Sequence, residues 1–514
     1  MKKLKIKTLL LLALLSLIAS CNNDPISTEE TSAVREKDYY LKLGKKLENP
    51  YSIKNMKRAL DSVKAKMTIS KTAKSTSEFD IETSHLYVKI EPKSAAEEAL
   101  MKKDTAQNFF DYPLDYEFTE EVLKEIGTNN PDVIGSYYVS VPKDYVFPEG
   151  IKTEVLEELY IPEQDPYFDN TTGTGKVSKS TISSKEDLLG NLLIEAFKLT
   201  HNEAQLGLQS TSTGKSSWWI FGSKWRPSGK ITMWDNSLNR VVPVEGAQVL
   251  IRQWFTVDSG ITDVNGNFST GTVRGEARYI LQWERQHYDI RNDTFGQAET
   301  RGPSRKNQSW VFNITEPKDI HFAMVHRAAH HYYYKDIKNL RRPPFDNDMP
   351  SRMKIAAIDK SSEDKGINGD HSFWRGIGGV LPTIRIFQRD FCEDYYGTTI
   401  HELAHASHWK MAWWTFQTVD GKVQESWARG VQWELSRMVY LNYQNSYFDN
   451  YTGVVEDMID SDTSLDDNVS GYNIRQIENS LLYAKTWDEW RNKIKNEHDN
   501  PTENNLFALF TRWE

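Results

Sequence analysis

Cysteine is almost absent from these 514 residues: Cys21 and Cys392 are the whole supply. A disulfide network is therefore excluded, and stability has to come from the size of the core. Sixteen Trp, twenty-four Tyr and twenty-one Phe supply enough large apolar side chains for about three domains. No block of basic residues offsets the net charge of −9, which argues against a nucleic-acid partner. A phosphate-cradling loop is missing too. Gly173-Thr174-Gly175-Lys176 is followed by Val177 where a Ser or Thr is needed, and no Gly stands five before Gly175, so this stretch reads as linker.

Long apolar runs are also scarce. Leu9 to Ile18 is apolar but too short for a stable membrane span, and it follows Lys2, Lys3, Lys5 and Lys7. Leu17-Ile18-Ala19-Ser20-Cys21 then resembles a bacterial lipoprotein box. The resemblance implies that residues 1–21 are a signal peptide, that the mature chain carries lipid on Cys21, and that residues 22–37 tether it outside the cytoplasm. Asn22 after the cysteine points to an outer-membrane lipoprotein by the usual sorting pattern.

Three folded regions follow, and the expected class is multidomain α+β. Residues 38–165 form an α/β module. Leu43, Leu47, Ile53, Met56, Leu60 and Val63 give a helical pattern, and His85 to Ile90 alternate as a strand. Phe110 to Tyr116, Val141-Pro142 and Ile161-Pro162 are similar to an N-terminal module of other bacterial lipoproteins, whose role stays open between propeptide-like inhibitor or chaperone and spacer. Residues 166–217 form a polar linker with one helix around Leu188 to Glu203. Residues 218–315 read as a small β-sandwich, with Asn265-Gly266 as a tight hairpin turn. This region resembles the transthyretin-like fold of carboxypeptidase-regulatory-like domains. Trp218, Trp219, Trp225, Trp234, Trp254 and Trp283 could line a glycan surface, but core and interdomain packing is the preferred account.

The chemistry lies in residues 316–514. His401-Glu402-Leu403-Ala404-His405 places two imidazoles four apart, one turn of helix on one face. Glu425 follows after nineteen intervening residues. Two neutral imidazoles and one carboxylate suit Zn²⁺ and leave a fourth position open for water. Glu402 is placed to take a proton from that water.

Other histidines and acids fit less well. His408 stands about 10 Å of helical rise beyond His401, too far to share one metal. Glu434 lies nine residues past Glu425 and would need a shifted helix. His326 and His330 have the spacing but no carboxylate partner in reach of the sequence. The acidic run Glu456, Asp457, Asp460, Asp462, Asp466, Asp467 lacks calcium-loop spacing and reads as solvated. Cys392 reads as a small buried hydrophobe.

Glu425-Ser426-Trp427-Ala428 resembles the signature with which gluzincin metallopeptidases present their third zinc ligand, and the nineteen-residue gap is that of the thermolysin-like branch. Val325 to Asp336 is similar to the Tyr-rich helix that opens that catalytic domain, and Asp370-His371-Ser372-Phe373-Trp374 to its cleft-edge segment. The resemblance implies a mostly helical C-terminal catalytic domain, Zn²⁺ on His401, His405 and Glu425, Glu402 as general base, and a protein or peptide substrate. It also implies an oxyanion donor from a later segment, for which Tyr472 is the candidate. Arg429 departs from the pattern, which has an Asp orienting a ligand histidine there, so the outer partner of His401 is unassigned. His371-Ser372 replace Asn-Ala. A different class of reading keeps the scaffold as a non-catalytic surface-binding or adhesin lipoprotein. Glu402 discriminates, since a scaffold kept for stability needs no carboxylate at that position.

Overall fold

Strand alternation at His85–Ile90 becomes the centre of a small antiparallel sheet, with Tyr87, Val88 and Ile90 turned inward. The computed structural model describes residues 45–68, 79–117, 135–165, 179–206, 224–294, 296–345, 352–361, 363, 366–372, 382–461 and 468–514. Cys21 with the leader and tether, Leu43, the loop 173–176, Trp218, Trp219, Phe373, Trp374, Asp462, Asp466 and Asp467 lie outside the described residues. No helix among the described residues is long and apolar enough to cross a membrane. The protein is a mixed α/β molecule of many helices and several sheets.

In chain order, the first region runs α1 (Ile53–Thr68), β1 (His85–Glu91), α2 (Ala95–Lys102), β2 (Tyr137–Pro142), β3 (Lys152–Leu159) and α3 (Lys179–Leu199). β1 pairs with β2 on one side and β3 on the other. α1 starts later than the apolar spacing suggested. Leu47 precedes it in extended chain, where its amide donates to the Asp115 carbonyl at 2.8 Å. Met56, Leu60 and Val63 pack with Leu192, Leu193 and Phe197 of α3.

Ten strands follow: β4 (Ser228–Asp235), β5 (Arg240–Pro243), β6 (Gln248–Gln253), β7 (Thr256–Ile261), β8 (Asn267–Ser269), β9 (Ala277–Gln282), β10 (Tyr288–Asn292), β11 (Gly296–Gln297), β12 (Glu299–Arg305) and β13 (Trp310–Ile314). They build one sheet of β13-β4-β5 with β8 on β4, and another of order β12-β9-β6-β7. Ile231, Met233, Val249, Ile251, Tyr279 and Leu281 share one core between them. Trp225, Trp254 and Trp283 are buried, as the packing account requires, while Trp234 is partly exposed.

The Asn265-Gly266 turn exists, but it is a corner and not a hairpin. β7 before it pairs with β6, and β8 after it pairs with β4 in the other sheet. Gly266 adopts φ +79°, and a Cβ there would meet the Ile231 carbonyl oxygen at 2.2 Å, so only glycine lets the corner lie against β4.

The sequence boundary at 315/316 does not coincide with a break in the packing. After β13 come α4 (Pro317–Tyr334), β14 (Met353–Ser361), β15 (Gly369–His371) and β16 (Ile384–Gln388). β10 and β11 leave the sandwich and complete a five-stranded sheet of order β11-β10-β14-β16-β15, its inner three strands parallel and both edges antiparallel. The remaining helices are α5 (Cys392–Ala412), α6 (Gly421–Ser436), α7 (Val454–Ile459), α8 (Ile474–Ser480), α9 (Trp487–Glu497) and α10 (Leu506–Arg512). One apolar core runs from the sandwich through α4, α5 and α6 to the C-terminus.

The first region is fastened to this body by buried charge. Glu98 on α2, 1% exposed, pairs with Lys354 of β14 at 2.5 Å and Arg291 of β10 at 2.9 Å. Lys102 pairs with Glu284 and Asp289, each at 3.1 Å.

Candidate metal centre

The α5 helix is held at its start by the β4–β5 turn. Asn236 Oδ1 accepts from the Cys392 amide at 2.8 Å and Ser237 Oγ from the Glu393 amide at 3.0 Å, satisfying donors that a helix N-terminus leaves free. Glu393 and Asp394 complement the dipole there. Cys392 is buried and its thiol is pushed up to about 11 by that burial, which fits a packing role.

Two turns on, His401 and His405 face α6. Their Nε2 atoms are 3.1 Å apart, and Glu425 Oε2 lies 3.1 Å from the first and 3.2 Å from the second. All three groups are largely buried. Donors of a tetrahedral zinc with bonds of about 2.0–2.2 Å stand roughly 3.3 Å or slightly more apart, so this triangle could hold such an ion with little adjustment. Its electrostatics favour a cation. Burial opposes charge on His405, yet Glu425 outweighs it and raises that ring; burial depresses His401 to about 4, leaving it neutral. Glu425 is itself held well below the usual carboxylate range, because the two imidazoles outweigh its own burial.

Glu402 is 5% exposed, and its charge acts on His405, Arg429 and Tyr451. A Cβ on Gly369 of β15 would come within 3.0 Å of Glu402 Oε1 and 2.7 Å of the Thr398 methyl, so the edge strand passes close over the Glu402 carboxylate because residue 369 is glycine. His371 on the same strand lies with its ring 6.3 Å from that of His405.

Tyr472 is not beside this cluster. It packs at the start of α8, its amide donating to the Met458 carbonyl at 3.0 Å, and the carboxylate acting on its hydroxyl is Glu503. It lines a separate open cavity of about 620 Å³ with Lys338, Glu434 and Arg437. The tyrosine at the cluster is Tyr451, whose ring lies 5.9 Å from His401 and whose hydroxyl is pushed up by burial and then by the Glu425 charge. Sequence reasoning missed it because the loop that carries it has no pattern of its own.

The rival donors stand elsewhere. His408 is buried edge-on against Phe416. Glu434 pairs with Lys338 and Arg437. His326 bonds Tyr288 Oη at 3.0 Å and the Glu245 carbonyl at 2.9 Å, and His330 stacks beside it. Among the described residues, the His401, His405, Glu425 group is the one set of three potential ligands that converges. Compared with known proteins, the chain matches no family model, no curated protein and no solved structure.

Proposed function

We propose that the chain is a zinc-dependent metallopeptidase, an endopeptidase acting on protein or peptide substrates and anchored in the outer membrane through lipid on Cys21. On this reading residues 38–165 are an accessory α/β module, 218–315 a transthyretin-like sandwich, and 316–514 a gluzincin-type catalytic domain. The observation that carries it is the convergence of His401, His405 and Glu425 on one point with Glu402 alongside.

A zinc ion on these three ligands would polarise the scissile carbonyl and lower the pKa of a bound water towards ~7. Glu402 accepts the proton of the attacking water and later delivers it to the leaving nitrogen. Tyr451, its ring 5.9 Å from that of His401, is the donor assigned to the developing oxyanion. Gly369 keeps the β15 edge close enough for an extended peptide to lie beside Glu402.

Zinc per chain, measured on the soluble protein from residue 22 onward beside Glu425→Ala, tests the reading. One zinc in wild type and much less in the variant supports it. A folded wild type that takes up none after zinc is supplied sinks it and favours a binding lipoprotein.

A further inference from the structure

Resting on that metal-site reading, we propose that Gln432, oriented by Arg429, is the positioning residue for His401, and that a neutral amide does here what a carboxylate does in most histidine-metal sites. Gln432 sits on α6 two turns beyond Glu425. Its Oε1 is 3.1 Å from His401 Nδ1 and 3.1 Å from Arg429 Nη1, and its Nε2 is 2.5 Å from Tyr443 Oη. The amide could in principle be turned either way round. Arginine settles it, because a guanidinium has donors only, so the atom facing it is the oxygen.

The rest follows from donor and acceptor counting. An oxygen opposite His401 Nδ1 asks that nitrogen for the ring's proton and Glu425 Oε2, 3.1 Å from Nε2, asks the other; a cation among His401, His405 and Glu425 takes the Nε2 side and leaves the proton to Nδ1. His401 is then the Nδ1–H tautomer, and the lone pair of Nε2 points at His405 and Glu425, where a metal needs it. Arg429 thus contributes by fixing an amide, and its guanidinium also lies 4.8 Å over the Tyr451 ring.

The helix itself makes room for this arrangement. Gly397 lies one turn before His401 on α5, where glycine costs about 1 kcal/mol against alanine. A Cβ there would meet Tyr443 Oη at 2.2 Å and Gln432 Nε2 at 2.9 Å. The glycine is needed by the Gln432–Tyr443 pair.

Two readouts test the proposal on the chain from residue 22 onward: the ring-nitrogen NMR of histidine-selectively ¹⁵N-labelled protein to which zinc has been supplied, with His401 identified by its loss in His401→Asn, and zinc affinity by chelator competition. Wild type is expected to show His401 protonated on Nδ1. Gln432→Ala should mix the tautomers and weaken zinc about 10–100-fold, and Gln432→Glu, which keeps an acceptor, should restore both to near wild type. Gln432→Ala with unchanged tautomer and zinc affinity overturns the proposal, as does a Gln432→Glu no better than alanine. Should wild type take up no zinc while His401 still shows the Gln432-dependent tautomer, the positioning role stands and the metallopeptidase reading falls.

Discussion

Removing Glu98 tests whether the first region is a fixed part of the molecule or a detachable one. Its carboxylate faces Lys354, Arg291 and Lys102, at 2.5, 2.9 and 3.8 Å, all at most 5% exposed. Breaking a buried pair from one side typically costs about 3–5 kcal/mol, because the abandoned charges stay desolvated. Lys354 limits the damage. Burial already holds it down at about 8, against 10.5 ordinarily, so losing Glu98 drives it neutral at pH 7 at an added cost of about 1.4 kcal/mol per unit. Arg291 and Lys102 stay charged, still held by Asp289 at 3.3 and 3.1 Å and, for Lys102, by Glu284 at 3.1 Å, so they add only the share of their pairing that Glu98 supplied. The sign with pH follows. A lysine depressed in the folded state destabilises below its unfolded pKa, most fully below the folded one, so by pH 9 it is neutral in wild type and variant alike. The gap between them should therefore narrow by roughly 1.4 kcal/mol from pH 7 to pH 9. On the acid side, Lys354, Arg291 and Lys102 outweigh burial and depress Glu98, which stabilises above its unfolded pKa and loses this as pH falls. Glu98→Ala should lack that part of the acid sensitivity. Chemical denaturation followed by tryptophan fluorescence across this pH range reads all three effects. A loss under about 1 kcal/mol at pH 7, or a gap that widens towards pH 9, refutes the reasoning.

Further outcomes concern the site. Glu402→Gln should keep zinc and lose about 10²–10⁴-fold in peptide cleavage; cleavage at the wild-type rate would remove it as base. Tyr451→Phe should lower kcat by about 10–10³-fold with zinc retained, whereas Tyr472→Phe should leave kcat within about twofold, and the reverse pattern would return the oxyanion role to Tyr472. Gly397→Ala should gain about 1 kcal/mol of helix propensity but forfeit more in displaced buried hydrogen bonds, leaving the protein about 1–2 kcal/mol less stable by thermal melting and weaker for zinc. A more stable variant with unchanged zinc affinity would show that the Gln432–Tyr443 pair has room to move.

What was legible in the sequence was what a single helix determines. His401 and His405 had to share a face of α5 once that segment was helical, and Glu402 had to stand beside them, because side-chain direction on a helix follows from spacing alone. Glu425 needed only one short connection and a second helix. Parts of the site assembled from several elements were not legible. Gly369 arrives on an edge strand, Tyr451 on a loop after α6, and Asn236 with Ser237 from a turn some 155 residues upstream that caps α5. The same limit governs the fold. Asn265-Gly266 encodes a reversal of the chain, but whether its flanking strands pair with each other or with separate sheets is decided by β4 and β6. Tyr288–Asn292 alternates no differently from a sandwich strand, yet it runs parallel to β14, a partner found only when the core closes. One signal was available and overlooked. A glycine inside an apolar helix one turn from His401 marks a close approach, and Gln432, two turns from Glu425 on the facing helix, is the polar side chain that approaches. Read together, Gly397 and Gln432 would have supplied the partner of His401 that Arg429 could not.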